Sequence, residues 1–476
     1  MSAQLGQGRR PGGRGCAFRA DPVPGLLLIV LGLLLVGCAA RVTPATETQA
    51  APTAPATPRS TATPRAGVTL SPPATPAALT ALTIWGPDMM APLQDAPGGD
   101  VLAAQIAAFS EAHSGLEVRY QRKKPYGQGG LVHLLRSTQA VAPASLPDLV
   151  LLDMREIGLL AGTGLLQPLE PLLPPDLIAD LVPFAREAGQ VGEHLLAVQY
   201  EADIRFLAYN SAIVYQPPAT WAELLAYRST YLLPLGRSEG AVRDAFLPQY
   251  VALGGKLTDR DGHPYLDRTV AAAVLEMYVS ARQANVLPSV GLDLKDASDC
   301  WPIYLSSGRA DAPARDTIAM TNVTSWDYGR ERARLIATRA APLPTLSGTL
   351  ISLSNGWGWA LIAQDSARQA AAVAFLQWIL KPESMASWSQ ATYHLPTRRS
   401  ALALAIDDSD YARFIQRLME VAVPQPREPL YTLAVEALGP AIEAVARGRM
   451  TPQAAAAEAA DKMQATQGQT RIGPQS

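Results

Sequence analysis

Short apolar runs alternate with helix-like segments along the chain after residue 80. Ala81 to Gly86 (ALTIWG) and Leu149 to Asp153 (LVLLD) are apolar runs that predict buried strands, and Leu116 to Tyr120 (LEVRY) alternates like a further strand. Between them, Asp100 to His113 and Leu131 to Ala140 repeat apolar residues at helical spacing. This order predicts an α/β fold with an open parallel sheet that is covered on both faces.

The ends of two predicted strands carry aromatic and acidic side chains. Ligands of open α/β sheets bind beyond the carboxyl ends of the strands. Trp85 and Asp88 lie at the end of the first strand, and Asp153 ends the third, just before a helix predicted from Arg155 to Ala161. We therefore expect Trp85, Asp88 and Asp153 to contact a ligand.

A different apolar run lies near the amino terminus. Residues 1 to 24 carry four arginines and no acidic residue before Asp21, and Gly25 to Val36 is apolar. A membrane-spanning helix needs about 20 apolar residues, so this run of about 12 predicts an export signal. It ends at Leu-Val-Gly-Cys38, which resembles the lipobox of bacterial lipoproteins. We expect residues 1–37 to be the signal peptide and Cys38 to be lipidated, with an ordinary secretory signal as the alternative.

The segment after Cys38 has a distinct composition. Ala, Thr and Pro dominate from Ala39 to Leu79, and eight of the chain's 40 prolines lie there. Such a segment lacks the large apolar residues of a core, so we expect a disordered tether over 38–79. Two acyl chains on Cys38 would suffice to anchor the folded body to the outer face of the cell membrane.

Charge and cysteine content exclude several classes of protein. The 40 Lys and Arg against 42 Asp and Glu give a formal net charge of −2, which provides no basic face for general nucleic-acid binding. Three cysteines cannot form a disulfide scaffold, and after export and lipidation Cys300 is the remaining thiol, expected in the core. The five histidines lack metal-ligand spacing, and Asp259 to Gly262 predicts a hairpin turn because Val270 replaces the glutamate of a calcium loop. We expect no metal and no cofactor.

The order of several segments resembles the extracellular solute-binding proteins (family 1) of ATP-driven importers, in the group that serves sugars and maltodextrins. The resemblance covers about residues 82 to 460. Its most specific stretches are PDLVLLDMREIGLLAGTGLLQPLEPLL (147–173), LLAVQYEADIRFLAYN (195–210), PPATWAELLAY (217–227), GGKLTDRDGHPYLD (254–267), SSGRADAPARDTIAMTNVTSWDYG (306–329) and AAVAFLQWILKPESMASWSQATYHLPTRRSAL (371–402).

The resemblance implies a two-lobed, periplasmic-binding-protein-like fold of type II, with the ligand in a cleft between lobes joined by crossover strands. The crossovers would fall at Val198 to Ile204, near Ser354 to Trp359 and around Ala422 to Arg427. The lobes would comprise residues 80–199 plus 359–422 and residues 204–356 plus 427–470.

Aromatic and acidic residues at these crossovers are further site candidates. Sugars present hydroxyls that need paired donors and acceptors together with an apolar face, so their sites combine aromatic planes with carboxylates or amides. On a strand, Glu201 and Asp203 face one side and Tyr200 the other. The resemblance gives Glu201 a position that faces the cleft and makes Trp326 and Tyr431 stacking residues. The expected ligand-binding set is Trp85, Asp88, Asp153, Tyr200, Glu201, Asp203, Trp326, Trp357 and Tyr431.

The resemblance implies a monomer that captures a sugar or oligosaccharide, catalyses no reaction and delivers its ligand to the permease subunits in the membrane. Two alternatives remain open at this point. Paired acids at 201 and 203 would also suit a polyamine, and Arg155 a glycerol phosphate or sugar phosphate. A surface glycosidase would have to use Glu201 and Asp203, whose side chains start only about 7 Å apart on one strand.

Overall fold

The computed structural model describes residues 79–307, 317–407 and 409–465. The predicted signal peptide, Cys38 and the tether as far as residue 78 lie outside the described residues. None of the helices in the described ranges is long and apolar enough to cross a membrane.

Strands and α-helices alternate through most of the described chain. The strands are β1 (Ala81–Pro87), β2 (Glu117–Lys123), β3 (Leu149–Asp153), β4 (Gln190–Val191), β5 (His194–Leu195), β6 (Val198–Gln199), β7 (Glu201–Asn210), β8 (Tyr231–Leu232), β9 (Met320–Thr324), β10 (Thr338–Ala341), β11 (Leu353–Asn355), β12 (Trp357–Leu361), β13 (Leu395–Pro396) and β14 (Val423–Pro424). The α-helices are α1 (Gly99–Ala112), α2 (Leu131–Val141), α3 (Ile157–Ala161), α4 (Pro175–Asp180), α5 (Pro183–Gly189), α6 (Trp221–Tyr227), α7 (Leu247–Ala252), α8 (Arg268–Gln283), α9 (Ala297–Ser307), α10 (Ser325–Glu331), α11 (Ser366–Ile379), α12 (Pro382–Thr392), α13 (Arg399–Ala405), α14 (Ser409–Val421), α15 (Leu430–Ala446) and α16 (Pro452–Ala465). A π-helical turn, Ala241–Phe246, precedes α7.

The first sheet has the strand order β2-β1-β3-β12-β6. β1 runs parallel to β2 and β3, whereas β12 runs antiparallel to β3 and β6. The predicted strands β1, β2 and β3 and the predicted helices α1 and α2 are therefore confirmed. All five residues of β3 are buried, as its continuous apolar run requires, while the edge strand β2 keeps charged side chains exposed.

The second sheet is built around the long central strand β7. Its order is β14-β11-β7-β9-β8, and β10 and β13 also pair with β7. β9, β10, β11 and β13 all run antiparallel to β7, so this sheet is mixed rather than parallel. The first eight residues of β7 are buried, which follows from the many elements packed against it.

The chain passes between the two sheets at single residues. Tyr200 connects β6 in the first sheet to β7 in the second, and Gly356 connects β11 in the second sheet to β12 in the first. A Cβ atom at Gly356 would lie 2.0 Å from the carbonyl oxygen of Glu201, so only glycine fits there. The two crossovers thus run side by side in opposite directions and in direct backbone contact.

Each sheet has its own hydrophobic core. One buried cluster joins β1, β3 and β12 to α11, with Trp359 and Phe375 among its largest members. A second cluster joins β7 to α8, α15 and α16, and a third packs α13 and α14 against the other face of β7 through Leu402 and Ile415. The two-lobed α/β fold is confirmed, while the exact lobe boundaries stay a prediction.

Candidate functional site

A cavity of about 270 Å³ lies where the two crossovers meet. Its wall includes residues of the start of β7, the end of β9, the first turn of α10 and the start of β12, all close to Gly356. Four of the predicted site residues line it, namely Glu201, Asp203, Trp326 and Trp357. We call it the tryptophan cavity.

Strand alternation brings three charged side chains of β7 to the tryptophan cavity. Glu201, Asp203 and Arg205 all line it, as residues two apart on one strand should. Glu201 is only 3% exposed, and its Oε2 accepts a hydrogen bond of 2.6 Å from Nε1 of Trp388. Nδ1 of His394 lies 3.7 Å from the same oxygen. The carboxylate of Glu201 is therefore fixed at the wall by a residue of α12.

Asp203 organises the start of α10. Its Oδ1 accepts hydrogen bonds from the hydroxyl of Ser325 at 2.6 Å and from the backbone N–H of Trp326 at 3.0 Å. Thr324 caps the same helix by accepting the backbone N–H of Asp327. These contacts fix Trp326 in the first turn of α10, where its half-buried ring reaches the tryptophan cavity.

The two cavity tryptophans sit in different surroundings. The Trp326 ring stacks on His394 with centroids 6.1 Å apart, and the guanidinium of Arg330 lies 4.5 Å from its centroid. Trp357 is buried, and its ring lies 5.8 Å from that of Tyr126. Trp326 therefore comes from α10, which follows β9 of the second sheet, and Trp357 from β12 of the first sheet, and both line the tryptophan cavity.

A fully buried aspartate holds the two arginines of the tryptophan cavity. Asp244, in the π-helical turn, is 0% exposed and accepts hydrogen bonds from Nε of Arg205 at 3.1 Å and from Nε of Arg243 at 2.7 Å. Burial opposes its ionisation, but Arg243 and Arg205 together lower the pKa of Asp244 to about 2. Arg205 also donates to the Asn355 side chain, so this network ties β7 to the second crossover.

A second group of side chains follows the end of β3. Asp153 accepts hydrogen bonds from the hydroxyl of Tyr126 at 2.7 Å and from Nη2 of Arg155 at 3.0 Å. Arg155 also reaches Glu239 Oε1 at 3.2 Å, and the hydroxyl of Tyr431 donates to that same oxygen at 3.0 Å. Tyr126, Arg155 and Tyr431 line a further cavity of about 480 Å³, which we call the tyrosine cavity.

The short helix that was predicted from Arg155 begins differently. Asp153 accepts the backbone N–H of Arg155 and caps a 3₁₀ turn, Met154–Glu156, before α3 begins at Ile157. The carboxylate that ends β3 thus has both a structural role and a contact with Arg155. Burial, followed by Asp153, raises the pKa of Tyr126, so its hydroxyl stays protonated and acts as a donor.

Four predicted site residues line neither cavity: Asp153, which borders the tyrosine cavity through its bonds to Tyr126 and Arg155, and Tyr200, Trp85 and Asp88. Tyr200 packs in the first core, with its ring 6.0 Å from that of Trp359 and 5.6 Å from that of Trp388. Trp85 is also a core residue, with Nζ of Lys123 4.5 Å from its ring centroid. Asp88 is exposed and accepts the N–H of the next residue.

Several residues that line the cavities were not among the predicted site residues. His394, Tyr126 and Arg243 reach the cavities from a turn or a loop, and nothing in their sequence surroundings distinguishes them from ordinary surface residues. Arg205 had a usable signal, because it continues the period-2 series of Glu201 and Asp203.

Asp259 and His263, in the predicted hairpin, and Cys300 have structural roles. Oδ1 of Asp259 accepts the backbone N–H groups of Asp261 and His263 and closes the predicted hairpin turn. The potential ligand atoms of these three residues lie within 4.8 Å of one another, but the turn itself accounts for that clustering. Cys300 is buried, and burial raises the pKa of its thiol, as expected for a core cysteine.

Glu156 makes the stability of the protein depend on pH. Its side chain is buried, and its Oε2 has no hydrogen-bond partner among the described residues. Burial, then Asp153, raises the pKa of Glu156 to about 8, against about 4.3 for an unperturbed glutamate. Because the folded protein holds this proton more tightly than the unfolded chain, its contribution to stability is complete below about pH 4 and is lost as the pH rises towards 8.

We expect Glu156→Gln to raise the thermal unfolding midpoint at pH 9 by several degrees and to change it little at pH 5, since glutamine matches the protonated side chain in shape and does not ionise. Differential scanning calorimetry at both pH values checks this. The matched control is Glu458→Gln, at an exposed position of α16. This substitution should change the unfolding midpoint by the same small amount at both pH values. An equal shift for Glu156→Gln at pH 5 and pH 9 would contradict the expectation.

Proteins with related sequences and structures are named as solute-binding or sugar-binding proteins. A family model described as bacterial extracellular solute-binding protein matches residues 104–413. The maltotriose-binding protein of Pyrococcus abyssi (strain GE5 / Orsay) is 34% identical over 94 residues, which make up 20% of this chain and 21% of that protein.

Solved structures share the whole fold. The cyclic alpha-maltosyl-1,6-maltose binding protein from Arthrobacter globiformis matches with a TM-score of 0.63 and 19% identity, over 82% of this chain and 99% of that one. The sugar-binding protein MalE from the phytopathogen Xanthomonas citri matches with a TM-score of 0.64 and 20% identity, over 81% of this chain and 98% of that one. At these identities the likeness establishes the two-lobed type II fold.

Proposed function

The chain belongs to the bacterial extracellular solute-binding proteins, and we propose that it captures a sugar or oligosaccharide and delivers it to the permease of an ATP-driven importer. The observation that supports the proposal is the lining of the tryptophan cavity, which combines Trp326 and Trp357 with the buried carboxylate of Glu201. Aromatic planes suit the apolar face of a sugar, and the carboxylate accepts hydrogen bonds from its hydroxyls.

The pairing of charges at the tryptophan cavity favours an uncharged ligand. Arg205 and Arg243 are both bonded to Asp244, and Asp203 is bonded to Ser325 and to the α10 backbone. A phosphate would have to compete with Asp244 for these arginines, and a polyamine would have to compete with Ser325 and the α10 backbone for Asp203. A hydroxyl can donate to one side chain and accept from another without displacing either, so a polyol fits these surroundings better.

Within this proposal, the ligand contacts are Glu201, Asp203, Trp326 and Trp357. Tyr431 lines the adjoining tyrosine cavity and Asp153 borders it, so both lie outside the tryptophan cavity and would meet only a ligand that reaches beyond that cavity. We assign no ligand contact to Trp85, Asp88 or Tyr200, because their side chains point into the core or into solvent.

Delivery requires that the bound and free forms differ in shape. We infer that the lobes close about the ligand by bending at the crossovers around Tyr200 and Gly356. A ligand that contacts both lobes shifts the population to the closed form, which the permease can then recognise without any reaction taking place. Lipidation at Cys38 and the tether over 38–79 would keep the protein at the outer face of the membrane and near its permease.

A thermal-shift screen of the purified protein tests the proposal. The panel contains maltose, maltotetraose, cellobiose, cellotetraose, spermidine and glycerol 3-phosphate. We expect at least one saccharide to raise the unfolding midpoint by about 5 °C at roughly 100 times its dissociation constant, and the charged compounds to leave it unchanged. A shift with spermidine or glycerol 3-phosphate and with none of the saccharides would contradict the proposal.

A second experiment, with the saccharide identified in this screen, distinguishes binding from catalysis. Incubation with the saccharide that gives the largest shift should leave it chemically intact, as judged by chromatography. Hydrolysis that is abolished by Glu201→Gln would make the protein a glycosidase instead. Glu458→Gln is the control, because this exposed residue lies on α16 and lines neither cavity.

A further inference from the structure

Side chains in direct contact separate the two cavities. The tryptophan cavity and the tyrosine cavity have no lining residue in common. Residues on the two sides nevertheless touch, since the ring centroids of Trp357 and Tyr126 are 5.8 Å apart. Likewise, Nη1 of Arg243 lies 3.8 Å from Oε1 of Glu239. The two cavities therefore adjoin each other across a layer of contacting side chains.

The layer is a continuous row of bonded side chains. The hydroxyl of Tyr126 donates to Asp153, Asp153 accepts from Arg155, and Arg155 reaches Glu239 at 3.2 Å. Tyr431 completes the row by donating to Glu239 at 3.0 Å, and the Arg155 guanidinium lies 5.0 Å from the Tyr431 ring centroid. We call Tyr126, Asp153, Arg155 and Glu239 the divider.

We propose that the divider sets the length of the ligand, confining it to a short saccharide of one or two rings in the tryptophan cavity. This inference rests on the proposed function. Pockets for drug-sized ligands measure about 300 to 1,000 Å³, so the 270 Å³ cavity lies just below that range. Joined to the 480 Å³ of the tyrosine cavity, it would reach the middle of the range and accommodate a longer oligosaccharide.

The members of the divider differ in how firmly they are held. The Asp153 and Arg155 side chains are 6% and 18% exposed and share several hydrogen bonds, so the fold depends on them. The Glu239 side chain is 50% exposed and reaches the row from the opposite lobe. Exposed ion pairs contribute little to stability, so Glu239 can be removed without unfolding the protein. Glu239 is thus the residue at which the divider can be opened selectively.

Isothermal titration calorimetry with wild type and Glu239→Ala tests the proposal. The probes are the disaccharides maltose and cellobiose and the tetrasaccharides maltotetraose and cellotetraose. Wild type should bind the disaccharide of one series at least 10-fold more tightly than its tetrasaccharide. Glu239→Ala should tighten tetrasaccharide binding about 10-fold and change disaccharide binding less than 2-fold. Glu458→Ala is the control, since Glu458 is exposed on α16 and lines neither cavity, and it should leave both affinities unchanged.

Three results would contradict the proposal that the divider limits the length of the ligand. Equal affinity of wild type for the two lengths would show that nothing limits the ligand. An equal loss of both affinities in Glu239→Ala would mean that Glu239 holds the lobes closed rather than limiting length. Binding of no saccharide by any variant would refute the proposed function and the divider with it, and this result is distinct from the first two, in which saccharides bind.

Discussion

Asp244→Ala is expected to lower the free energy of unfolding by about 3–5 kcal/mol, because it leaves Arg205 and Arg243 without their buried counter-charge. Arg205 is 1% exposed and cannot regain water without disturbing β7. In a protein of this size the change corresponds to a fall of roughly 6–15 °C in the unfolding midpoint. Calorimetry or denaturant unfolding at pH 7 measures it.

The control for Asp244→Ala is Glu117→Ala, which breaks an ion pair with Arg119 on the exposed edge strand β2 and should leave the midpoint nearly unchanged. Acid provides a second check. The pKa of Asp244 is lowered, so its contribution to stability is present above about pH 4 and is lost as the pH falls towards 2. The difference between wild type and Asp244→Ala should therefore shrink in acid. A difference that stays constant from pH 7 to pH 2.5 would contradict the ion-pair explanation.

Trp326→Ala and Trp357→Ala are each expected to weaken binding of the preferred saccharide about 30-fold, or by about 2 kcal/mol, because each removes an aromatic plane that we propose contacts the ligand. Titration calorimetry measures both affinities, and circular dichroism shows whether each variant is folded. Trp326→Phe and Trp357→Phe should lose less, since a smaller plane remains.

Trp85→Phe is the informative control for the tryptophan variants. Trp85 lies at a strand end, where the sequence predicts a ligand contact, but its ring belongs to the first core. Its replacement should change the affinity less than 2-fold. Unchanged affinity in both alanine variants, or a large loss in Trp85→Phe, would contradict the placement of the ligand in the tryptophan cavity.

The local pattern of apolar and polar residues was sufficient to predict much of the fold. The continuous apolar run of β3 and the helical spacing of α1 and α2 depend on neighbours in sequence, and all three elements form as predicted. The alternation of Glu201 and Asp203 also gave their common face correctly, because the side-chain period of a strand is two whatever packs against it. The mixed pairing of the second sheet could not be read in this way, since it joins segments more than 100 residues apart.

The site was harder to predict because its contacts join distant segments. His394 meets Glu201 and Trp326 only through the pairing of β13 with β7, which no local pattern reveals. Tyr200 is the opposite case, a residue that was predicted to contact the ligand but does not line the cavity. It lies at the crossover beside Glu201, yet alternation turns its ring into the first core, where it packs on Trp359. Position near a strand end therefore indicated the region of the site but did not decide which side chains enter it.

The central claim is that a saccharide binds in the tryptophan cavity between the two lobes. A crystal structure of the protein with the saccharide that gives the largest thermal shift tests this claim most directly. We expect a sugar ring in contact with Trp326 and Trp357 and one of its hydroxyls within 3.2 Å of a Glu201 carboxylate oxygen, a normal hydrogen-bond distance. A saccharide bound elsewhere, with the tryptophan cavity filled only by water, would contradict the claim.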